Sequence, residues 1–139
     1  MNQVIGIDEA GRGCWAGPLV AAAVLLHEPV KGLNDSKKLS RLKRERLAQE
    51  IRLKASYGIA MVDAQEIDLI GLTAATQKAM RQAIAEIADS YHEVVIDGNI
   101  NYLPDLPRVT VMPKADAALS VAEIDIAGAD EIVTEEQMW

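Results

Sequence analysis

The chain has 139 residues, half of them hydrophobic, enough for one domain with a single apolar core. Its lone cysteine, Cys14, excludes an internal disulfide framework. The 14 basic and 21 acidic residues give a net charge of −7, which argues against a uniformly basic, polyanion-binding surface.

Met1-Asn2-Gln3 lacks the basic region that opens a signal peptide, and the apolar run from Leu19 to Leu26 is too short to span a bilayer. A cytoplasmic protein with no membrane partner is therefore expected. Gln3 to Asp8 and Pro18 to Leu26 are predicted strands, the second apolar enough to be buried on both faces. The glycine-rich segment between them suits an antiparallel pair. Ser40 is a predicted N-cap, and Leu42, Leu47, Ile51 and Leu53 form the apolar stripe of a basic amphipathic helix. Tyr57 to Val62 forms a third strand. Ala64 to Ile70 is a short helix, Gly71 breaks the chain, and a longer helix runs to about Ala88 with Leu72, Ala75, Ala79, Ala83, Ile84 and Ile87 facing inward. Glu93 to Asp97 is a strand ending in a carboxylate, Pro104 and Pro107 mark a surface loop, and Arg108 to Met112 is the last strand. Strands first, then strands alternating with helices, predict an α/β fold with a mixed sheet packed by helices.

Charge is distributed unevenly along this layout. Residues 1–114 carry all 14 bases and 14 acids, whereas residues 115–139 hold seven acids and no base. Composition changes abruptly beyond Ala122, which divides the chain into a domain at 1–122 and an acidic tail at 123–139. Eight bases (Lys37, Lys38, Arg41, Lys43, Arg44, Arg46, Arg52 and Lys54) fall within 18 residues that contain only Glu45 and Glu50 as acids. This window is either a phosphate-facing surface or an ordinary solvated helix face.

Chemistry concentrates in Ile5-Gly6-Ile7-Asp8-Glu9-Ala10-Gly11-Arg12-Gly13, where a strand delivers two carboxylates and then a loop of glycines around one arginine. Adjacent acids at a strand mouth suit a hard divalent cation, and glycines let backbone N–H groups approach a ligand. Asp97 ends another strand, and Asp116 follows the last one. Taken singly, Asp97 is a turn residue and Asp116 a helix cap as readily as ligands. An all-oxygen set fits magnesium or manganese, while Cys14, His27 and His92 are too scattered to make a zinc site.

These blocks occur in order with Leu33-Asn34-Asp35-Ser36-Lys37-Lys38-Leu39, Ile96-Asp97-Gly98-Asn99 and Lys114-Ala115-Asp116. Together they resemble bacterial ribonuclease HII, the type 2 ribonuclease H family, over roughly residues 3–122. The resemblance implies a ribonuclease H-like mixed sheet flanked by helices. It implies an endoribonuclease that uses two divalent ions, Mn2+ or Mg2+, held by Asp8, Glu9, Asp97 and Asp116. Its substrate would be an RNA–DNA hybrid, or duplex DNA with embedded ribonucleotides, cut to leave a 3′-hydroxyl and a 5′-phosphate. Gly11, Arg12 and Gly13 would read the 2′-hydroxyl, and Asn34, Ser36 and Lys37 would contact phosphate and sugar. A monomer is expected.

The resemblance lapses after Asp116. The family continues into a long Ser- and Ala-rich helix ending in bases and then into further helices, whereas this chain ends in an acidic segment, so the C-terminal helical part is abbreviated. A weak or inactive remnant, acting as a metal-binding, duplex-binding or protein-interaction module, is the alternative reading.

Overall fold

The computed structural model describes residues 3–11, 17–28, 40–112, 129–130 and 132–133. In chain order the elements are β1 (Val4–Ala10), β2 (Leu19–Leu26), α1 (Arg41–Lys54), β3 (Ala55–Val62), α2 (Ala64–Ile70), α3 (Leu72–Ala85), β4 (Glu93–Asp97) and β5 (Val109–Met112). Among the described residues the strands form one mixed sheet in the order β3-β2-β1-β4-β5. β1 pairs antiparallel with β2, and β2 antiparallel with β3. β1 also pairs parallel with β4, and β4 parallel with β5. The expected α/β class and the antiparallel β1/β2 pair are both present.

β2 is buried from Leu19 through Leu25 because each face of the sheet is covered. On one face Leu19, Ala21, Ala23 and Leu25 pack with Ala75, Ala79, Met80 and Ala83 of α3 and with Ile5, Ile7, Val94 and Ile96. Small residues let α3 lie close to the sheet. Gly58 on β3 marks the tightest point, since a Cβ there would stand 1.9 Å from the Ala83 carbonyl oxygen. On the other face Ala22 and Val24 pack with Leu47, Ala48 and Ile51 of α1 and with Ala129, Ile132 and Val133. Among the described residues beyond Ala122, where a tail is expected, Ala129, Ile132 and Val133 belong to this core.

α1 starts where expected, with the Ser40 hydroxyl accepting from the Lys43 N–H at 3.4 Å. Its apolar stripe is narrower than the sequence suggests, because Leu42 and Leu53 are 59% and 86% exposed. At 3.6 residues per turn both fall well off the line through Leu47, Ala48 and Ile51. Leu72 is likewise outside the buried stripe of α3, which ends at Ala85 rather than near Ala88. The Glu86 and Ile87 N–H groups close its last turn onto Ala83 and Ile84. Asp63 caps α2, its Oδ1 accepting from the Glu66 N–H at 2.8 Å.

Candidate active site

Asp8 lies opposite Ala22 in the β1/β2 ladder, so it projects from the sheet face covered by α1. The parallel register of β1 and β4 runs through Ile7 opposite Ile96. Asp8 and Asp97 are the next residues of the two strands, side by side at their carboxyl ends. The Asp97 side chain hydrogen-bonds the Asp8 side chain. Two carboxylates from segments almost ninety residues apart meet here because a parallel pairing aligns strand ends.

Glu9 follows on β1 opposite Ala21, so strand alternation turns it toward the α3 face. Its N–H donates to Asp8 Oδ1 at 2.9 Å, and its charge acts on the Asp8 carboxyl. Gly11, just past β1, holds φ +97°, and a Cβ there would lie 2.1 Å from the Pro18 carbonyl oxygen. Only glycine fits this turn. Asp116, Arg12, Gly13, Asn34, Ser36 and Lys37 lie outside the described residues.

Asp130 was not singled out by sequence pattern, yet its carboxyl hydrogen-bonds Asp8. Ala129, Ile132 and Val133, helical like Asp130, are buried at 0%, 0% and 2% exposure and fix that turn beside Ala22. The i, i+3, i+4 spacing of these three apolar residues is the sequence signal of the turn, though it does not mark Asp130 itself.

Burial is the main cause that pushes the Asp8 carboxyl up to about 9, followed by its hydrogen bond and like charge from Asp130, then the charges of Asp97 and Glu9. Asp97 is also raised, by burial first and by the charge of Asp130 second, while its bond to Asp8 works the other way. Such a site holds a proton unless a cation replaces it. Among the described residues no three acids surround one point closely enough to make a complete metal cage. Two carboxylates suffice for magnesium-type ions, which keep several waters and take further ligands from phosphate, so this oxygen donor set fits a divalent cation.

A second polar cluster lies at the other end of β2. His27 Nε2 is 2.8 Å from Ser56 Oγ and 3.1 Å from Asp89 Oδ2, and Ser56 donates to Asp89. A nucleophilic relay needs its acid on the other ring nitrogen, so this trio supports no such chemistry.

Residues 5–126 match the family described as Ribonuclease HII. Ribonuclease HII of Thermotoga maritima is 50% identical over 95 residues, covering 68% of this chain and 40% of that protein. That of Herpetosiphon aurantiacus is 46% identical over 133 residues, covering 88% of this chain and 63% of that protein. The chain therefore spans about 40 to 63% of the length of these relatives. Among solved structures, RNase HII in the PCNA:RNase HII complex from Archaeoglobus fulgidus superposes with a TM-score of 0.78 at 27% identity, over 98% of this chain and 73% of that one. Bst-RNase HIII, solved in complex with Mn2+, gives 0.74 at 22% identity over 99% and 52%, a likeness of fold.

Proposed function

The chain belongs to the ribonuclease HII family, and on that footing we propose that it is a metal-dependent endoribonuclease acting on the RNA strand of RNA–DNA hybrids or at ribonucleotides embedded in duplex DNA. The observation that carries this reading is the contact of Asp8 and Asp97 at the ends of two parallel strands. With Glu9 and Asp116 they are the residues that would hold two divalent ions, Mn2+ or Mg2+, and Glu9, which leaves β1 on the α3 face, would have to reach round the strand end to join them. When bound, such ions acidify water and neutralise charge on a phosphodiester. The chain's own part is placement: β1 and β4 fix the Asp8 and Asp97 carboxyls, and the surrounding core excludes water from one side. Backbone groups of Gly11, Arg12 and Gly13 distinguish ribose by its 2′-hydroxyl, and Asn34, Ser36 and Lys37 hold phosphate and sugar. The reading takes the protein to be a cytoplasmic monomer.

The test is a duplex with a single ribonucleotide, a full RNA–DNA hybrid and an all-DNA control, each incubated with the protein and Mn2+ or Mg2+. Incision of the first two to 5′-phosphate ends, with the control uncut, is expected. A non-catalytic module that keeps the fold is the second reading, favoured by the lack, among the described residues, of three acids around one point. Cation binding without incision at any protein concentration would select it.

A further inference from the structure

The cation-rich α1 helix is not used by the site above, and its outer face is the strongest unassigned feature. Several of its bases are already engaged. Arg41 pairs with Glu45 at 3.2 Å, Lys54 with Glu50 at 2.7 Å, and Arg52 stacks 5.2 Å over the Tyr57 ring. Lys43 and Arg46 differ: both are exposed, and among the described residues neither side chain has an acidic partner. Three residues apart, they share one face of the helix, about 5–6 Å between Cβ atoms.

Their position matters as much as their charge. α1 covers the sheet face from which Asp8 projects. Its C-terminal end is tied to the Leu26 end of β2, where the His27 N–H donates to the Lys54 carbonyl at 3.0 Å and Leu26 pairs with Ala55. From Leu26 to Ala22, the partner of Asp8, is about 13 Å along the strand. From Lys54 back to Arg46 is about 12 Å along the helix. The packing of Leu47 and Ala48 in the cluster with Ala22 agrees with that match. Arg46 and Lys43 therefore stand level with Asp8 and just beyond it, on the same side of the sheet.

We propose that Lys43 and Arg46 form a phosphate-contacting ridge that holds the backbone of the substrate duplex while the scissile bond lies at Asp8 and Asp97. The inference rests on the nuclease reading and adds a binding surface to it. A stiff polyanion is the ligand that can touch both places at once, and each cation it neutralises releases counterions. The ridge also answers the net charge of −7, because binding needs local rather than overall positive charge.

The experiment is fluorescence anisotropy of the full chain with a labelled RNA–DNA hybrid in EDTA, so that binding is read without cutting. Wild type is compared with K43Q, R46Q, the double variant, and K78Q on the opposite face of the sheet, over a range of salt. The double variant is expected to bind about tenfold more weakly at low salt and to lower the slope of log affinity against log salt by about two. K78Q should match wild type. Unchanged affinity and slope in the double variant overturn the proposal, as does a wild-type chain that binds anionic vesicles but no duplex. Failure of the nuclease reading is separable: a wild type that cuts nothing, yet loses duplex binding with K43Q and R46Q, keeps the ridge and discards the activity.

Discussion

Replacing Asp8 by Asn should remove most of the pH dependence of stability that this site imposes. In the cation-free chain the Asp8 carboxyl is pushed up to about 9 by burial, by Asp130 and by the charges of Asp97 and Glu9, against 3.8 unfolded. Between those values the folded chain keeps a proton that the unfolded chain releases. Stability is then fully present below pH 3.8 and is lost as pH rises toward 9. The slope for one proton is about 1.4 kcal/mol per pH unit, so about 4 kcal/mol disappears between pH 5 and pH 8. That is a large share of the roughly 5–15 kcal/mol that holds a domain together. D8N mimics the protonated acid: its amide donates where the carboxyl proton did, and it has nothing to release. Urea unfolding in EDTA at pH 5, 6, 7 and 8 is the assay. Wild type should weaken steadily, and D8N should be flatter and more stable than wild type at pH 8, with a residual slope from Asp97, whose carboxyl is also raised. Asp105, lowered by its hydrogen bond to Arg81, acts at pH values below this window. Parallel curves for the two proteins would refute the reasoning. Added Mn2+ should restore wild-type stability at pH 8, because a cation takes the place of the proton, and should do little for D8N.

Three further substitutions probe the frame around the site. I132A empties a fully buried position against Ala22, Val24 and Ile51 and should cost about 2–5 kcal/mol in urea unfolding; a negligible loss would show that the 129–133 turn is not docked. G58A drives a Cβ to 1.9 Å from the Ala83 carbonyl and 2.8 Å from Glu86 Cβ, so α3 must shift, at a cost of about 1–3 kcal/mol; a variant as stable as wild type contradicts the close packing of α3 on β3. D130N removes one of the like charges facing Asp8, and the Asp8 side-chain carbon should titrate at lower pH by NMR than in wild type; an unmoved midpoint would mean that Asp130 does not bear on the site.

Much of this arrangement is written in local sequence. The unbroken apolar run Leu19 to Leu25 announces a strand covered on both faces, and Asp8 and Asp97 stand where strands end, which is why their convergence follows from pairing alone. Ser40, Asp63 and Gly71 punctuate helices as their side chains, or the lack of one, require. The limits are equally physical. Leu42 and Leu53 look like stripe residues by hydrophobicity, but helix pitch places them off the line to Ile51, and exposed leucines carry little penalty. The acids of residues 115–139 mask a short apolar pattern, Ala129, Ile132 and Val133, whose docking against α1 depends on a face assembled from distant strands. Asp130 reaches Asp8 only as a consequence of that docking, so no local motif marks it.

The proposed nuclease activity depends on the carboxylate pair at the ends of β1 and β4. Single-turnover cleavage of a duplex containing one ribonucleotide, with protein in excess and saturating Mn2+, tests it most directly when wild type is set against D97N, which keeps the side-chain shape and the β4 packing. Wild type is expected to incise the duplex, and D97N to be slower by about a hundred- to a thousandfold, the scale of removing a group that stabilises the transition state. Equal rates in the two proteins would contradict that dependence.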